Sequence, residues 1–528
     1  MSNNTYDAVI IGAGHNGLAA AVHLATKGWK VAVVEASQEA GGSVKTREVT
    51  LPGFRHDLFA ANLGLFAGSP FFAAYSEKLI AQGLGFVIAD DCFASAFPDD
   101  TWLGVNRDVV VTAKRIAQFS PADAVRWRSM LADFAGDAPH IFALLGMPMP
   151  SWAAARAIWT MYRARGGAWI GDLIRLVLSS PREFLDAHFE SGKLKAMMAT
   201  WGMHLDFAPD VAGGALFAYL ESMAEQSFGM ALGQGGADTM IRALVGCLKA
   251  AGGELLLGRA VEAIEQTGDR ATGVRLANGE RLTAQRAVIA NVHPRLVFGG
   301  LVAKDGRRAT FDARVARFRP GPSTMMIHLA LSGLPDWKAG KELQRFAYVH
   351  LAPSYAVMTS AYTEGMAGLL PREPVLVVGQ PTAIDPSRAP AGKHVLWVQV
   401  RVLAAQIRGD AAGEITATHW DEAKEAYADR VIALIERYAP GLSGKILGRA
   451  VMSPLDLERE NRNLIGGDSV SGSHHLDQNF LFRPVFGWSR YATPVKRLYL
   501  VGASTWPGAG VNAGSGFMLA KMLAGAPR

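Results

Sequence analysis

Cysteine is nearly missing from this chain of 528 residues: only Cys92 and Cys247 occur, with no CxxC pair and no Cys/His cluster. That scarcity speaks against a disulfide framework, a zinc site and a dithiol redox centre. No metal is therefore expected, and a reducing, cytoplasmic setting fits. Uninterrupted apolar runs of the ~18 residues that cross a bilayer are also lacking. The nearest candidate, from Ile141 to Met161, is broken by Pro148 and Pro150 and followed by Arg163 and Arg165. No secretory leader is expected, since the strand reading starts as early as Tyr6. Long runs of Lys and Arg are absent too, and a net charge of +6 is scattered among acids, so no nucleic-acid partner is expected. A Ser-His-Asp signature, an HExxH and a Walker glycine-lysine motif are all missing, which lowers hydrolase and NTPase readings.

What the chain does have is apolar residues, 50% of the total, and 57 glycines. A core of that size exceeds one domain, and two or three are expected. Near the N-terminus, Ala8-Val-Ile-Ile11 reads as a buried parallel strand. Gly12-Ala-Gly14-His-Asn16-Gly17 follows, then a helix to Thr26, the strand Lys30–Val34 and an acid, Glu35. In this order Gly12 makes the tight turn, Gly14 admits a pyrophosphate, and Gly17 lets helix and strand pack closely. The helix N-terminus faces phosphate with free N–H groups. Glu35 is placed for a ribose hydroxyl and disfavours a 2′-phosphate. A second glycine pair, Gly41-Gly42 followed by Ser43, would let the backbone approach a ligand extending past the first nucleotide, although alone it also suits a surface turn.

Two further pieces have the same character. Gly253 to Asn291 reads as strand, turn, strand, an Asn278-Gly279 hairpin and a last apolar strand, led in by a helix from Gly235 to Lys249. Near the C-terminus, Arg497 to Gly502 is a strand that opens into Trp506-Pro-Gly-Ala-Gly510-Val511-Asn512-Ala-Gly514 and a helix. A strand running into a glycine-rich loop and a helix start is again anion- and cofactor-binding geometry.

Together these motifs resemble flavoproteins of the amine oxidase superfamily, and within it the phytoene desaturase-related group. That group includes retinol saturase and pyridine nucleotide-disulphide oxidoreductase domain-containing protein 2. The stretch Leu51-Pro-Gly-Phe-Arg-His-Asp57, Asn461 to Asp468 and Asp477 to Pro484 share the likeness, which covers nearly the whole chain. It implies FAD as cofactor, held by Gly12, Gly14, Asn16, Gly17, Glu35, Gly41, Gly42, Ser43, Gly502, Gly510, Val511 and Asn512, with backbone groups of Val261 at the adenine. The implied fold is α/β, a Rossmann-like FAD-binding domain assembled from residues 1–70, 233–294 and 491–528. A sheet-containing substrate domain (71–120 and 295–490) and a helical cap (121–232) complete it. Many relatives carry His where this chain has Trp506.

Substrate-side candidates are fewer. His474, His475 and Arg483 lie in a region that approaches substrate in relatives, and with Trp506 they are the catalytic candidates. The loop from Gly466 to His475 itself reads as polar and solvated. The region 121–225, rich in Trp, Met and Ala with Arg156, Arg163, Arg165 and Arg175, reads as a cap over an apolar tunnel or as a packed lobe. Those arginines also leave a peripheral membrane contact open. The expected reaction is hydride transfer from an apolar substrate to flavin N5, dehydrogenating a C–C bond. The electrons would pass on to oxygen, a quinone or another carrier. A flavin amine oxidase, a redox-neutral flavin isomerase and a non-catalytic flavin-bound interaction protein are the alternatives.

Overall fold

Two seven-stranded sheets organise residues 4–527, which this computed structural model describes. The first is parallel at its centre. Thr5–Ile11 lies between Val31–Val34 and Arg281–Ala290; Glu254–Leu256 extends one side and Leu498–Leu500 the other. Its strands are short, β-branched and buried on both faces, the pattern of a sheet covered twice. Ala8, Ile10, Val31 and Val33 pack under the helices His15–Thr26, Asp238–Ala250 and Gly514–Ala524. Val9, Ile11, Ala32 and Val34 face the opposite way, toward Phe298, Phe311 and Val315. The antiparallel hairpin of Val261–Thr267 and Arg270–Leu276 joins the start of Arg281–Ala290.

One boundary differs from the sequence reading. Helix Pro70–Ala81 places Phe71, Tyr75 and Leu79 in the nucleotide-side core, and Phe86–Ala89 pairs with Met230–Gly233. The second sheet therefore takes the chain only from Asp91, not from 71. Its order is Ile446–Met452, Ser323–Leu331, His394–Leu403, Val375–Gly379, Tyr348–Leu351, Asp91–Ala96 and Trp102–Asn106. Every neighbouring pair is antiparallel except Tyr348–Leu351 with Asp91–Ala96. One face carries the amphipathic helix Trp420–Tyr438, with Tyr427, Val431 and Ile435 against Ile327, Leu329 and Val398. The other face contributes Met326, Tyr348 and Trp397 to the core shared with the helical lobe.

That lobe comprises Pro121–Leu145, Trp152–Leu178, Pro181–His188, Gly192–Met203 and Ala215–Phe228. Most of these helices begin on Ser caps, Ser120, Ser151, Ser180 and Ser191, whose hydroxyls accept early backbone N–H groups. Trp152–Leu178 is the exception in packing. It breaks at Gly166 (φ 84°) and buries only Ala154 and Met161, leaving Trp152 90% exposed. Among the described residues no helix is long and apolar enough to cross a membrane.

Candidate active site

The nucleotide arm is built from backbone. Gly12 turns the chain at φ +93°, and a Cβ there would lie 2.9 Å from the Asn291 carbonyl oxygen. A Cβ on Gly17 would overlap the Gly12 carbonyl, so this glycine serves helix–strand contact, as its spacing predicts. Gly14 and Gly42 face one another: a Cβ on Gly42 would sit 3.3 Å from the Gly14 Cα. The Gly41 N–H donates to the Ala13 carbonyl (2.9 Å), which brings the second glycine pair onto the first. Glu35 accepts the Ala13 N–H at 2.8 Å on one oxygen and the Ser37 N–H at 2.9 Å on the other. Val261 follows closely on Arg259, whose N–H donates to the Glu35 carbonyl (2.8 Å), so it lies near Glu35.

Asn291 ties the three segments together, a role not evident from its place at a strand end. Its Nδ2 would be 2.9 Å from a Cβ on Gly14, and its Oδ1 2.8 Å from one on Gly502 (φ +111°). Asn463 donates to the Asn291 carbonyl (3.3 Å) and accepts the His293 N–H (2.9 Å). Asn461 donates to the Ser43 hydroxyl at 3.1 Å. Asn16 accepts the Ser515 hydroxyl (2.9 Å), and the Ser515 oxygen accepts the Gly502 N–H (2.8 Å). A Cβ on Gly516 would fall on the Asn16 carbonyl, so the first and last helices touch along their backbones. Asn512 accepts the Gly514 N–H (2.7 Å) at the start of the last helix. Val511 packs on the nucleotide-side core, and Gly510 (φ +115°) lies beside His15, whose imidazole burial pushes down to about 4.

Three of the four catalytic candidates hold the scaffold. The Arg483 guanidinium is fully buried and donates to the Ala503 carbonyl (2.7 Å), the Ser473 carbonyl (2.9 Å) and the Ser471 carbonyl (3.0 Å). Burial pulls it down to about 9. The loop from Gly466 to His475 is thus not solvated. Asp468 accepts the N–H groups of Gly321, Val470, Ser471 and Gly472, while Arg483 takes carbonyls of the same turn, so both polar edges are satisfied inside the protein. His474 Nε2 accepts the Ala509 N–H (2.9 Å), and burial holds its imidazole well below its usual range. It positions the glycine loop as a neutral ring. Trp506 is 2% exposed, donates to the Met147 carbonyl (2.8 Å) and lies 5.7 Å from the Phe480 ring, a packing role. His475 alone stays partly exposed, with Nε2 2.8 Å from the Asp206 carbonyl and 3.2 Å from the Tyr362 hydroxyl.

The substrate side holds groups the motifs did not reveal. Asn62 donates to Glu225 Oε1 (2.9 Å), and burial raises the Glu225 carboxyl well above its usual range. Glu221, one turn earlier, is raised to about 7 by burial alone. It keeps part of its surface accessible. The same holds for His204, whose Nε2 is 3.1 Å from His350 Nε2. Tyr348 and Trp397 stack on each other, centroids 5.5 Å apart at 6°. Among the described residues no His, Cys, Asp and Glu group could hold a metal.

A two-lobed α/β protein with a side-chain-free cradle from three glycine segments is the architecture of a flavoprotein oxidoreductase. The residues present fit such a ligand: a Cβ on Gly14 would meet the Asn291 side chain and one on Gly42 the Gly14 backbone, so only glycine leaves room there. The family described as flavin containing amine oxidoreductase matches residues 17–513, and the chain belongs to it. Its cofactor is FAD. The chain is 29% identical to pyridine nucleotide-disulfide oxidoreductase domain-containing protein 2 of Rattus norvegicus, covering 97% of this chain and 92% of that protein. It is 27% identical to the neurosporene-forming phytoene desaturase of Rhodobacter capsulatus, over 100% and 96% of the two chains. Among solved structures, an oxidoreductase from Methanosarcina mazei superposes with a TM-score of 0.62 at 16% identity, covering 98% of this chain and 99% of that one.

Proposed function

We propose that this protein dehydrogenates a carbon–carbon bond of an apolar organic substrate. FAD, when bound, supplies the hydride acceptor at its N5. The observation that carries the reading is the apolar core between the second sheet and the helical lobe. Tyr348 and Trp397 close on one another and leave no slot between them for a cation, and Met326 lies in the same core. The chain's own work is to bind, orient and keep water out. The Asp468–Arg483 clamp fixes the turn behind Ala503, and His474 fixes the Ala509 amide. A relative named as a phytoene desaturase supports a hydrocarbon rather than an amine. Anaerobic mixing of the yellow holoprotein with a polyene hydrocarbon, a fatty-acyl thioester and a primary amine tests this. The polyene or the acyl chain should bleach the flavin; bleaching by the amine alone, or product without bleaching, would refute it.

Substrate of that kind resides in lipid, and helix Trp152–Leu178 offers a route. It exposes Ile158, Trp159, Tyr162, Ile174 and Leu178 alongside Arg156, Arg163 and Arg175, a pairing suited to an anionic membrane surface. We infer that this segment rests on such a surface. Flotation with vesicles containing phosphatidylserine should carry the protein upward at low salt, and Trp152→Ser with Trp159→Ser should abolish it. Equal flotation of the double variant would overturn the assignment.

A further inference from the structure

Helix Ala215–Phe228 crosses the inner side of the lobe, and residues 217, 221 and 225 recur at four-residue spacing on one face. Both ends of that face are fixed. The Phe217 ring is 6.5 Å from His474, which holds the Ala509 amide of the C-terminal glycine loop. Glu225 is hydrogen-bonded to Asn62, next to the segment after the second glycine pair. Glu221 therefore lies one turn from Phe217, on the face of the helix that meets His474 behind the C-terminal glycine loop expected at the flavin. The opposite face looks into the lobe, where Tyr219 meets Phe134 and Gln226 accepts the Trp127 indole N–H.

Resting on the dehydrogenation reading above, we propose that Glu221 is the catalytic residue that takes the substrate proton. One C–H bond of the substrate gives its electron pair away as a hydride to the flavin. From the neighbouring carbon the Glu221 carboxylate takes a proton, and the pair left behind becomes the new π bond. The neutral carboxylic acid then returns its proton to water between turnovers.

Other buried titratable groups suit the task less. Burial holds the imidazoles of His204 and His474 well below neutrality and that of His350 at about 3, so none is a useful base there. Asp206 is engaged by Tyr362 and His475. Glu221 has no hydrogen bond or ion pair among the described residues, which leaves its oxygens free for substrate. Burial raises it to about 7, and a base works best when its pKa lies near the ambient pH. The charged groups around its helix come from several elements. Glu225 lies on the helix itself. Asp133, Asp137 and Arg165 act on Tyr219 on the outer face. Arg182, Asp186 and His188 come from Pro181–His188, Lys193, Lys195 and His204 from Gly192–Met203 and its end, and Arg107 follows Trp102–Asn106.

Two measurements on the holoprotein test the proposal. Flavin bleaching by whichever polyene or acyl probe reduces the wild type is followed from about pH 5 to about pH 9. Glu221→Gln should slow it by about 10²-fold or more and remove the limb near pH 7. Glu221→Asp, one methylene shorter, should keep the limb at reduced rate. Thermal melting is read over the same range without substrate. A carboxyl raised in the folded state loses its proton first in the unfolded chain, so wild-type stability should fall as pH rises toward 7, and Glu221→Gln should flatten that fall. If no probe bleaches even the wild type, the dehydrogenation reading fails, whatever the melting shows. If the wild type bleaches and Glu221→Gln matches its rate and pH profile, Glu221 is not the base.

Discussion

The glycine cradle permits a paired test in which only crowding differs. Gly12 and Gly28 both sit at positive φ, +93° and +81°, but a Cβ on Gly12 would stand 2.9 Å from a backbone oxygen, while nothing lies within 4 Å of one on Gly28. Alanine at either site incurs the left-handed backbone cost, about 1–2 kcal/mol. At Gly12 it must also push the Asn291 backbone away, and overpacking of this kind costs about 1–3 kcal/mol more. The strand Arg281–Ala290 that carries Asn291 is hydrogen-bonded along Thr5–Ile11, so it yields little. We expect Gly28→Ala to lose about 1–2 kcal/mol and keep its flavin, and Gly12→Ala to lose about 2–5 kcal/mol and bind flavin weakly. Urea unfolding followed by flavin fluorescence, with the flavin-to-protein absorbance ratio after gel filtration, reads both quantities. A Gly12→Ala protein no less stable and no paler than Gly28→Ala would refute the close-approach argument.

Three further outcomes follow from the same contacts. Glu35→Gln removes the charge from an acceptor of two backbone N–H groups, each such bond being worth about 1.5–3 kcal/mol, so FAD affinity should fall at least tenfold in a fluorescence titration. Arg483→Met strips one turn of its shared donor and strands Asp468; breaking such a buried set costs about 3–5 kcal/mol, visible as a large drop in melting temperature that Arg483→Lys, lacking the planar fork, restores only in part. His474→Gln keeps an acceptor for the Ala509 N–H, and because the native ring is neutral, the pH profile of flavin bleaching should not change. A lost pH limb in that variant would show that His474 carries a proton after all.

Local signals were enough for the nucleotide arm. Gly12, Gly14, Gly17 and Glu35 lie within one strand–helix–strand unit, where spacing and chemistry coincide, and the first and last of the three segments each read as a strand opening into glycine. Asn291 was hidden because its work is done on residues far away in the chain, Gly12, Gly14 and Gly502. The turn holding Asp468 misled for the opposite reason. Its composition is polar, and only the fold shows that Arg483 and Asp468 satisfy it from inside. Glu221 sits in a helix whose neighbours are apolar, so its face could be judged only once Phe217 and Glu225 had been placed. The exposed aromatics of Trp152–Leu178 read equally well as core, since periodicity alone does not say whether a partner covers them.

Because Asn291 joins glycines from two distant stretches of polypeptide, the nucleotide pocket has no existence until translation has delivered residues 498–516. The parallel sheet stays one strand short until then, its Val288–Ala290 border open to stray pairing.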